Sequence, residues 1–184
     1  MTYEIDLAGL KRQLPLCRLT DELYIGAFVL FGDVELTVHC AEKLLELAPD
    51  YDYLLAPEAK SIPLIHEMAR QSGANKYFLV RKKAKLYMQE VFEVTVQSIT
   101  TASEQSLFLS KEDAEMIRGK RILIVDDVIS TGESLRAVEH LVDCAGGDIV
   151  GRVFAVAEGA AAERTDIITL AQLPLFNKGG SPKM

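Results

Sequence analysis

The run Ile122-Leu123-Ile124-Val125-Asp126-Asp127-Val128-Ile129-Ser130-Thr131-Gly132-Glu133-Ser134 holds the densest set of groups capable of chemistry in this sequence. Its unbroken β-branched and Leu opening is the pattern of a strand buried on both faces. Such a strand delivers Asp126 and Asp127 to its C-terminal end, where open parallel sheets bind ligands. The residues that follow turn into a helix, whose free N–H groups and dipole attract a phosphate. Gly132 lets the backbone approach that anion closely, and Ser130, Thr131 and Ser134 add hydroxyl donors. The twin carboxylates suit two neighbouring hydroxyls, as on a ribose ring. With Val128, Ile129 and Glu133, these residues describe a cradle for a ribose 5-phosphate. Without a ligand, the same run would be a buried strand, a solvated Asp pair and an ordinary N-cap.

An apolar strand, two acids, two apolar residues, a small residue, Thr, Gly, any residue and Ser or Thr is the signature of the type I phosphoribosyltransferases, and this run resembles it in every class. A strand ending in Asp-Asp also resembles a signalling receiver domain, but too little chain follows Asp126 for the rest of that fold. A nucleotide-triphosphatase loop would need G-x-x-x-x-G-K-[ST], which the sequence lacks.

Two upstream segments extend the resemblance. Leu54-Leu55-Ala56-Pro57-Glu58-Ala59-Lys60-Ser61-Ile62-Pro63-Leu64 is similar to the pyrophosphate loop of the adenine-type members. Those carry Glu, a small residue, Arg and Gly, so Lys60 and Ser61 are departures: Lys60 keeps a cation without the Arg fork. Lys76, Arg81, Lys82, Lys83 and Lys85 gather five of the 20 basic residues within ten positions. A run of this kind is ordinarily a solvated face, but after a strand end in an acidic protein it points to an anion site. Arg81-Lys82-Lys83-Ala84-Lys85-Leu86 is also similar to the Arg-Lys-x-x-Lys-Leu run of adenine phosphoribosyltransferases. The resemblance implies that Glu58, Ala59, Lys60, Ser61, Arg81, Lys83 and Lys85 bind pyrophosphate.

Residues 84–108 read as a two-stranded arm with a mobile tip, the place of a lid that closes over substrates. The Tyr-x-x-Glu-Tyr segment that adenine enzymes carry there cannot be placed, and Glu104 stands at the wrong offset. In the family a small hood built from the chain ends selects the base. Here residues 14–31 and 165–177 are the expected hood, with Phe28, Phe31 or Phe176 available to stack on a flat ring. The resemblance implies transfer of a phosphoribosyl group from phosphoribosyl pyrophosphate to a purine, adenine first and a 6-oxopurine second, with Asp126 and Asp127 catalytic. It also implies Mg2+, held by those acids only indirectly, and a homodimer. A regulator that senses phosphoribosyl pyrophosphate without catalysis is the alternative.

Composition sets the bounds on these readings. The 184 residues carry 20 Lys and Arg against 27 Asp and Glu, a net charge of −7, which gives no general reason to bind nucleic acid or an anionic membrane. Cys17, Cys40 and Cys144 are odd in number and never in C-x-x-C spacing, as expected of free thiols in a reducing cytoplasm. His39, His66 and His140 lack metal-ligand spacing. The N-terminus has no basic region followed by an apolar one, and the longest apolar run, Ile25 to Phe31, is far short of a membrane span.

The elements that must position the chemical groups follow from periodicity. Glu4 to Leu14 is an amphipathic opening, and Leu16 to Leu19 and Leu23 to Phe31 read as strands. Asp33 caps a helix bearing Leu36, Cys40, Leu44 and Leu47, which Pro49 ends. Tyr53 to Ala56 is a strand, Ile62 to Gln71 a helix closed at Gly73, and Tyr77 to Val80 a strand. Ser110 caps a short helix that Gly119 closes. Ile122 to Val125, Leu135 to Val142 and Ile149 to Val156 read as strand, helix and strand. Strands alternating with helices predict an α/β domain, a mainly parallel twisted sheet flanked by helices, with its core at about 34–160.

Overall fold

Ile122, Leu123, Ile124 and Val125 are all buried because their strand is the middle member of a five-stranded sheet covered on both faces. The computed structural model describes residues 1–88, 90–97 and 104–183. In chain order the elements are β1 (Thr2–Leu7), β2 (Leu10–Arg18), β3 (Leu23–Gly26), α1 (Val34–Leu47), β4 (Tyr53–Pro57), α2 (Ile62–Ser72), β5 (Phe78–Val80), β6 (Val91–Gln97), β7 (Glu104–Ser110), α3 (Lys111–Ile117), β8 (Arg121–Ile129), α4 (Glu133–Ala145), β9 (Asp148–Glu158), a 3-10 turn (Gly159–Glu163), β10 (Ile168–Leu173) and β11 (Phe176–Asn177). The central sheet runs β10-β9-β8-β4-β5, every pair parallel.

Side chains of β8 alternate between the two faces. Leu123 and Val125 join a core with Leu36, Cys40 and Leu44 of α1 and Leu64, Ile65 and Met68 of α2. Ile122 and Ile124 join the opposite core, with Ala114 and Ile117 of α3 and Leu135, Val138 and Leu141 of α4. Asp33 caps α1 by accepting the Leu36 N–H at 3.0 Å, and Ser110 caps α3 by accepting the Asp113 N–H at 3.1 Å. Gly73 and Gly146 end α2 and α4 at φ 74 and 80, a left-handed turn that glycine adopts without strain. Among the described residues no helix is long and apolar enough to cross a membrane.

The chain ends differ from their sequence reading. Residues 4–14 are not a separate amphipathic opening but most of an antiparallel hairpin, β1 with β2, in register from Thr2–Pro15 to Leu7–Leu10. The short apolar pattern had no turn signal stronger than Ala8-Gly9, so the reversal was hidden. The hood is the four-stranded sheet β1-β2-β3-β11. β3 stops at Gly26, leaving residues 27–31 outside a strand. β10, expected in the hood, instead pairs parallel with β9 and extends the central sheet. Arg12 of the hood ties to Asp33 at 2.7 Å and to Glu35 at 2.6 Å, and the His39 Nε2 donates to the Leu7 carbonyl at 2.8 Å.

The arm is two antiparallel strands, β6 and β7, paired from Val91–Ser110 to Gln97–Glu104. Reciprocal backbone bonds of 2.8 Å between Arg81 and Phe108 fasten its base to the residue that follows β5. Its expected mobile tip, 98–103, lies outside the described residues.

On α2, nearly buried Glu67 accepts from Arg70 at 2.7 Å and from Gln71 at 2.8 Å. The Arg70 guanidinium, helped by Gln71 and opposed by burial, holds its carboxyl at about 2 against an ordinary 4.5. A depressed folded value stabilises fully above the unfolded value and is lost as pH falls through the folded one. Glu67→Gln should therefore flatten the acid limb of stability between about pH 4.5 and 2. Because Arg70 is exposed, the effect is on the order of 1 kcal/mol, read from urea-unfolding midpoints at pH 7 and pH 3.

Candidate active site

The pairing of β4 with β8 ends at Leu55–Ile124, whereas β4 stays with β5 to Pro57–Val80 and β8 stays with β9 to Ile129–Ala157. From β4 the chain moves outward to β5, and from β8 it moves the other way to β9 and β10. The carboxyl ends of β4 and β8 thus part at a topological switch point, where open α/β sheets bind ligands. A cleft of about 540 Å³ opens there. Pro57 to Lys60 form one wall, Asp126, Asp127, Val128, Ser130 and Ser134 another, and Ile25 to Val29 of the hood lie across from them.

The two acids sit in the strand itself, since β8 runs on to Ile129. Both line the cleft, but they are not equivalent. Asp126 accepts the Asp127 N–H at 2.9 Å through Oδ1. Burial, then the neighbouring Asp127 charge, pushes the Asp126 carboxyl well above its ordinary range. Asp127 is 5% exposed, and its Oδ2 is buried without a hydrogen-bond partner among the described residues. A buried acceptor with nothing to accept is costly, so a hydroxyl donor or a hydrated cation would be stabilising here. Among the described residues no three His, Cys, Asp or Glu side chains cluster to form a metal cage.

Gly132 has φ 76, a left-handed backbone that calls for glycine; a Cβ there would lie 2.9 Å from the Arg164 Nη1, the movable end of a flexible side chain. Ser130 and Ser134 reach the cleft beside the start of α4. Thr131 Oγ1 accepts the Glu133 N–H at 3.4 Å and turns its hydroxyl to the local turn. Ile129 is a correction to the cradle: it is 3% exposed and packs into the α4-side core, on the opposite face from its neighbour Val128, which lines the cleft.

The basic segment also divides differently from its sequence reading. Glu58 accepts from the Arg81 Nη1 at 3.0 Å and the Lys82 N–H at 2.9 Å, and lies 3.7 Å from the Lys85 Nζ. Burial alone would raise the Glu58 carboxyl, but these three donors hold it below its usual range. Arg81 and Lys85 are thus engaged in fixing the loop. Arg81 is held extended by its bonds to Phe108, so the next side chain falls on the opposite side, and Lys82 rather than Lys83 lines the cleft. Lys60 and Ala59 line it as expected. Ser61 is fully buried, its hydroxyl donating to the Pro57 carbonyl, and its side chain is withdrawn from any anion.

Of the three aromatic candidates, only Phe28 lines the cleft. Phe31 is exposed outside it, and Phe176 is buried edge-on against Tyr3 with ring centroids 4.9 Å apart. Glu158 escaped the sequence reading, which names Lys82 in the basic run but not among the pyrophosphate-binding residues. The signal for Lys82 was the alternation along an extended run, and for Glu158 its place at the end of the strand after α4. A larger hollow of about 980 Å³ lies between Lys76, Arg81, Tyr87 and α3, but neither acid nor the start of α4 reaches it.

Two substitutions test this geometry. Asp127→Asn removes like-charge repulsion and a buried unpaired acid, so it should raise the melting temperature by roughly 2–4 °C per kcal/mol gained while weakening ribose 5-phosphate binding at least about tenfold. Gly132→Ala should cost about 1 kcal/mol of stability, read by urea unfolding, and impair the same binding, read by calorimetry.

The phosphoribosyl transferase domain model matches residues 38–173. The adenine phosphoribosyltransferase of Clostridium acetobutylicum is 33% identical over 129 residues, 69% of this chain and 72% of that relative. The Thermotoga maritima adenine phosphoribosyltransferase is 30% identical over 156 residues, covering 84% of this chain and 87% of the relative. The crystal structure of the Thermoanaerobacter pseudethanolicus adenine phosphoribosyltransferase is alike in fold, with TM-score 0.67, 23% identity, and coverage of 86% of this chain and 95% of that one. The matched span runs from α1 through β10 and takes in β4, β8 and the start of α4, the elements that form the cleft; the chain belongs to the phosphoribosyl transferase domain family.

Proposed function

We propose that this chain is a purine phosphoribosyltransferase, taking phosphoribosyl pyrophosphate and adenine to adenosine monophosphate and pyrophosphate. The observation that carries the reading is the parting of β4 and β8, which sets a half-buried and a buried acid, a helix start and a lysine-bearing loop around one cleft. The names of the relatives favour adenine, with a 6-oxopurine as the second choice.

In this reading the 5-phosphate rests on the first N–H groups of α4 beside Ser130, Gly132 and Ser134. Asp126 and Asp127 accept the ribose hydroxyls. Departure of pyrophosphate leaves cationic character at the sugar carbon, as in glycoside chemistry, and the buried carboxylates favour that charge. Lys60 and Lys82 offset the charge of the leaving group, while Arg81 and Lys85 hold Glu58 and so the loop.

Mg2+ fits this site. It keeps waters and substrate oxygens rather than a protein cage, which suits an orphaned carboxylate oxygen at Asp127. Asp126 and Asp127 would hold it indirectly, and when bound it would supply Lewis-acid chemistry to the leaving group. We place the protein in a reducing cytoplasm on its three free cysteines, and as a homodimer on its family.

Pyrophosphate release measured with adenine, hypoxanthine, guanine and xanthine should be fastest with adenine. Asp126→Ala should lower kcat by about 10²–10³, and Lys82→Met should raise KM for phosphoribosyl pyrophosphate about tenfold. Binding of phosphoribosyl pyrophosphate with no turnover on any base would overturn the enzymatic reading in favour of a sensor.

A further inference from the structure

Glu158 is the last residue of β9, two positions after Val156, which packs into the core shared with the hood while Ala157 between them packs on the opposite face. It lines the cleft with Ile25 to Val29 of the hood, Val128 and Leu173. Among the described residues its carboxylate has no hydrogen bond and no ion pair. Burial alone, with no compensating charge, pushes its carboxyl upward. The other acids of the cleft are accounted for: Glu58 is held by Arg81 and Lys82, and Asp126 and Asp127 stand at the sugar.

Register gives its distance from the sugar. Asp126 pairs with Phe154 and Val128 with Val156, so Asp127 is level with Ala155, and Glu158 lies three residues further on. At ~3.3 Å per residue that is roughly 10 Å along the strand, one strand over from the acids. This is too far for Glu158 to touch a ribose held by Asp127, and on the hood side, where the far edge of an attached base would fall.

We propose that Glu158 is a specificity-determining residue of this cleft: its carboxylate accepts a hydrogen bond from the exocyclic 6-amino group of adenine and repels the 6-oxo group of hypoxanthine or guanine. The inference rests on the purine reading above. Amino and oxo groups differ there as donor and acceptor, and an acceptor-only side chain discriminates by attraction to one and repulsion of the other.

Binding of adenosine monophosphate and inosine monophosphate, followed by calorimetry, tests this without requiring turnover. The wild-type protein should prefer adenosine monophosphate by at least about tenfold. Glu158→Met, of similar length and without an acceptor, should weaken adenosine monophosphate about tenfold or more and leave inosine monophosphate within about threefold. Glu158→Gln, which can donate or accept, should bring the two affinities close together and decides the matter where the Met variant does not fold. Ribose 5-phosphate should bind all three proteins within about twofold of one another, which reports an intact sugar site. An unchanged preference in the folded variants, or a wild-type preference for inosine monophosphate, overturns the proposal. Pyrophosphate release from adenine by the wild-type protein separates the two readings: turnover with an unmoved preference sinks Glu158 alone. A preference that Glu158→Met abolishes, without turnover, sinks the enzymatic reading alone.

Discussion

The cleft exists because two neighbouring parallel strands stop pairing before either of them ends. β4 and β8 share a ladder only as far as Leu55 and Ile124, and beyond it each keeps its other neighbour. Backbone groups freed along that divergence must find other partners or water. Lined by Pro57, which has no N–H to offer, and by acids that repel one another, the gap is open to a polar ligand. Everything placed at the site depends on this divergence: the acids follow on β8 after a single intervening residue, Val125, and the Glu58 loop is the first turn after β4.

Stability is given up at this point and supplied elsewhere. Asp127 keeps a buried oxygen unpaired, and Asp126 beside it is driven toward its neutral form. The cores on either face of β8 are built of Leu, Ile, Val and Phe with few polar interruptions, so they can carry this local cost. The hood is fastened at a distance, through Arg12 to the capping residue Asp33. That contact joins the entrance of α1 to the sheet that faces the cleft.

Much of this was legible in the residue pattern. The unbroken apolar run before Asp126-Asp127 marked a central strand, and Gly132 marked the close approach at the start of α4, because each reflects a local requirement on one element. What escaped depends on partners distant in sequence. Residues 168–173 carry the same apolar composition in a hood strand as in a sheet strand, and only pairing with β9 decides between them. Arg81 and Lys85 look free in a basic run, yet Glu58, more than twenty residues away, occupies them. Phe176 offers a flat ring in sequence, but Tyr3 at the opposite end of the chain buries it. Charge and aromaticity name what a side chain could do; topology assigns which of them reach the ligand.

The strand ends also impose an order on the cleft. Near the start of α4 the groups are N–H donors and hydroxyls, suited to a phosphate. At the end of β8 they are acceptors, suited to hydroxyls, and across the gap Lys60 and Lys82 supply positive charge. Toward the hood the lining becomes apolar, with Ile25, Phe28, Val128 and Leu173, and at its margin one acid, Glu158, unpaired among the described residues. Filling all four zones takes two molecules: a sugar phosphate with a pair of hydroxyls and a second anionic group, and a flat apolar body with a donor at its edge. A sugar phosphate alone would leave the hood side empty, and a free base alone would leave the acids unpaired. The joined molecule meets both demands, so the same geometry that opens the sheet also selects a bond between sugar and base as the place where chemistry happens.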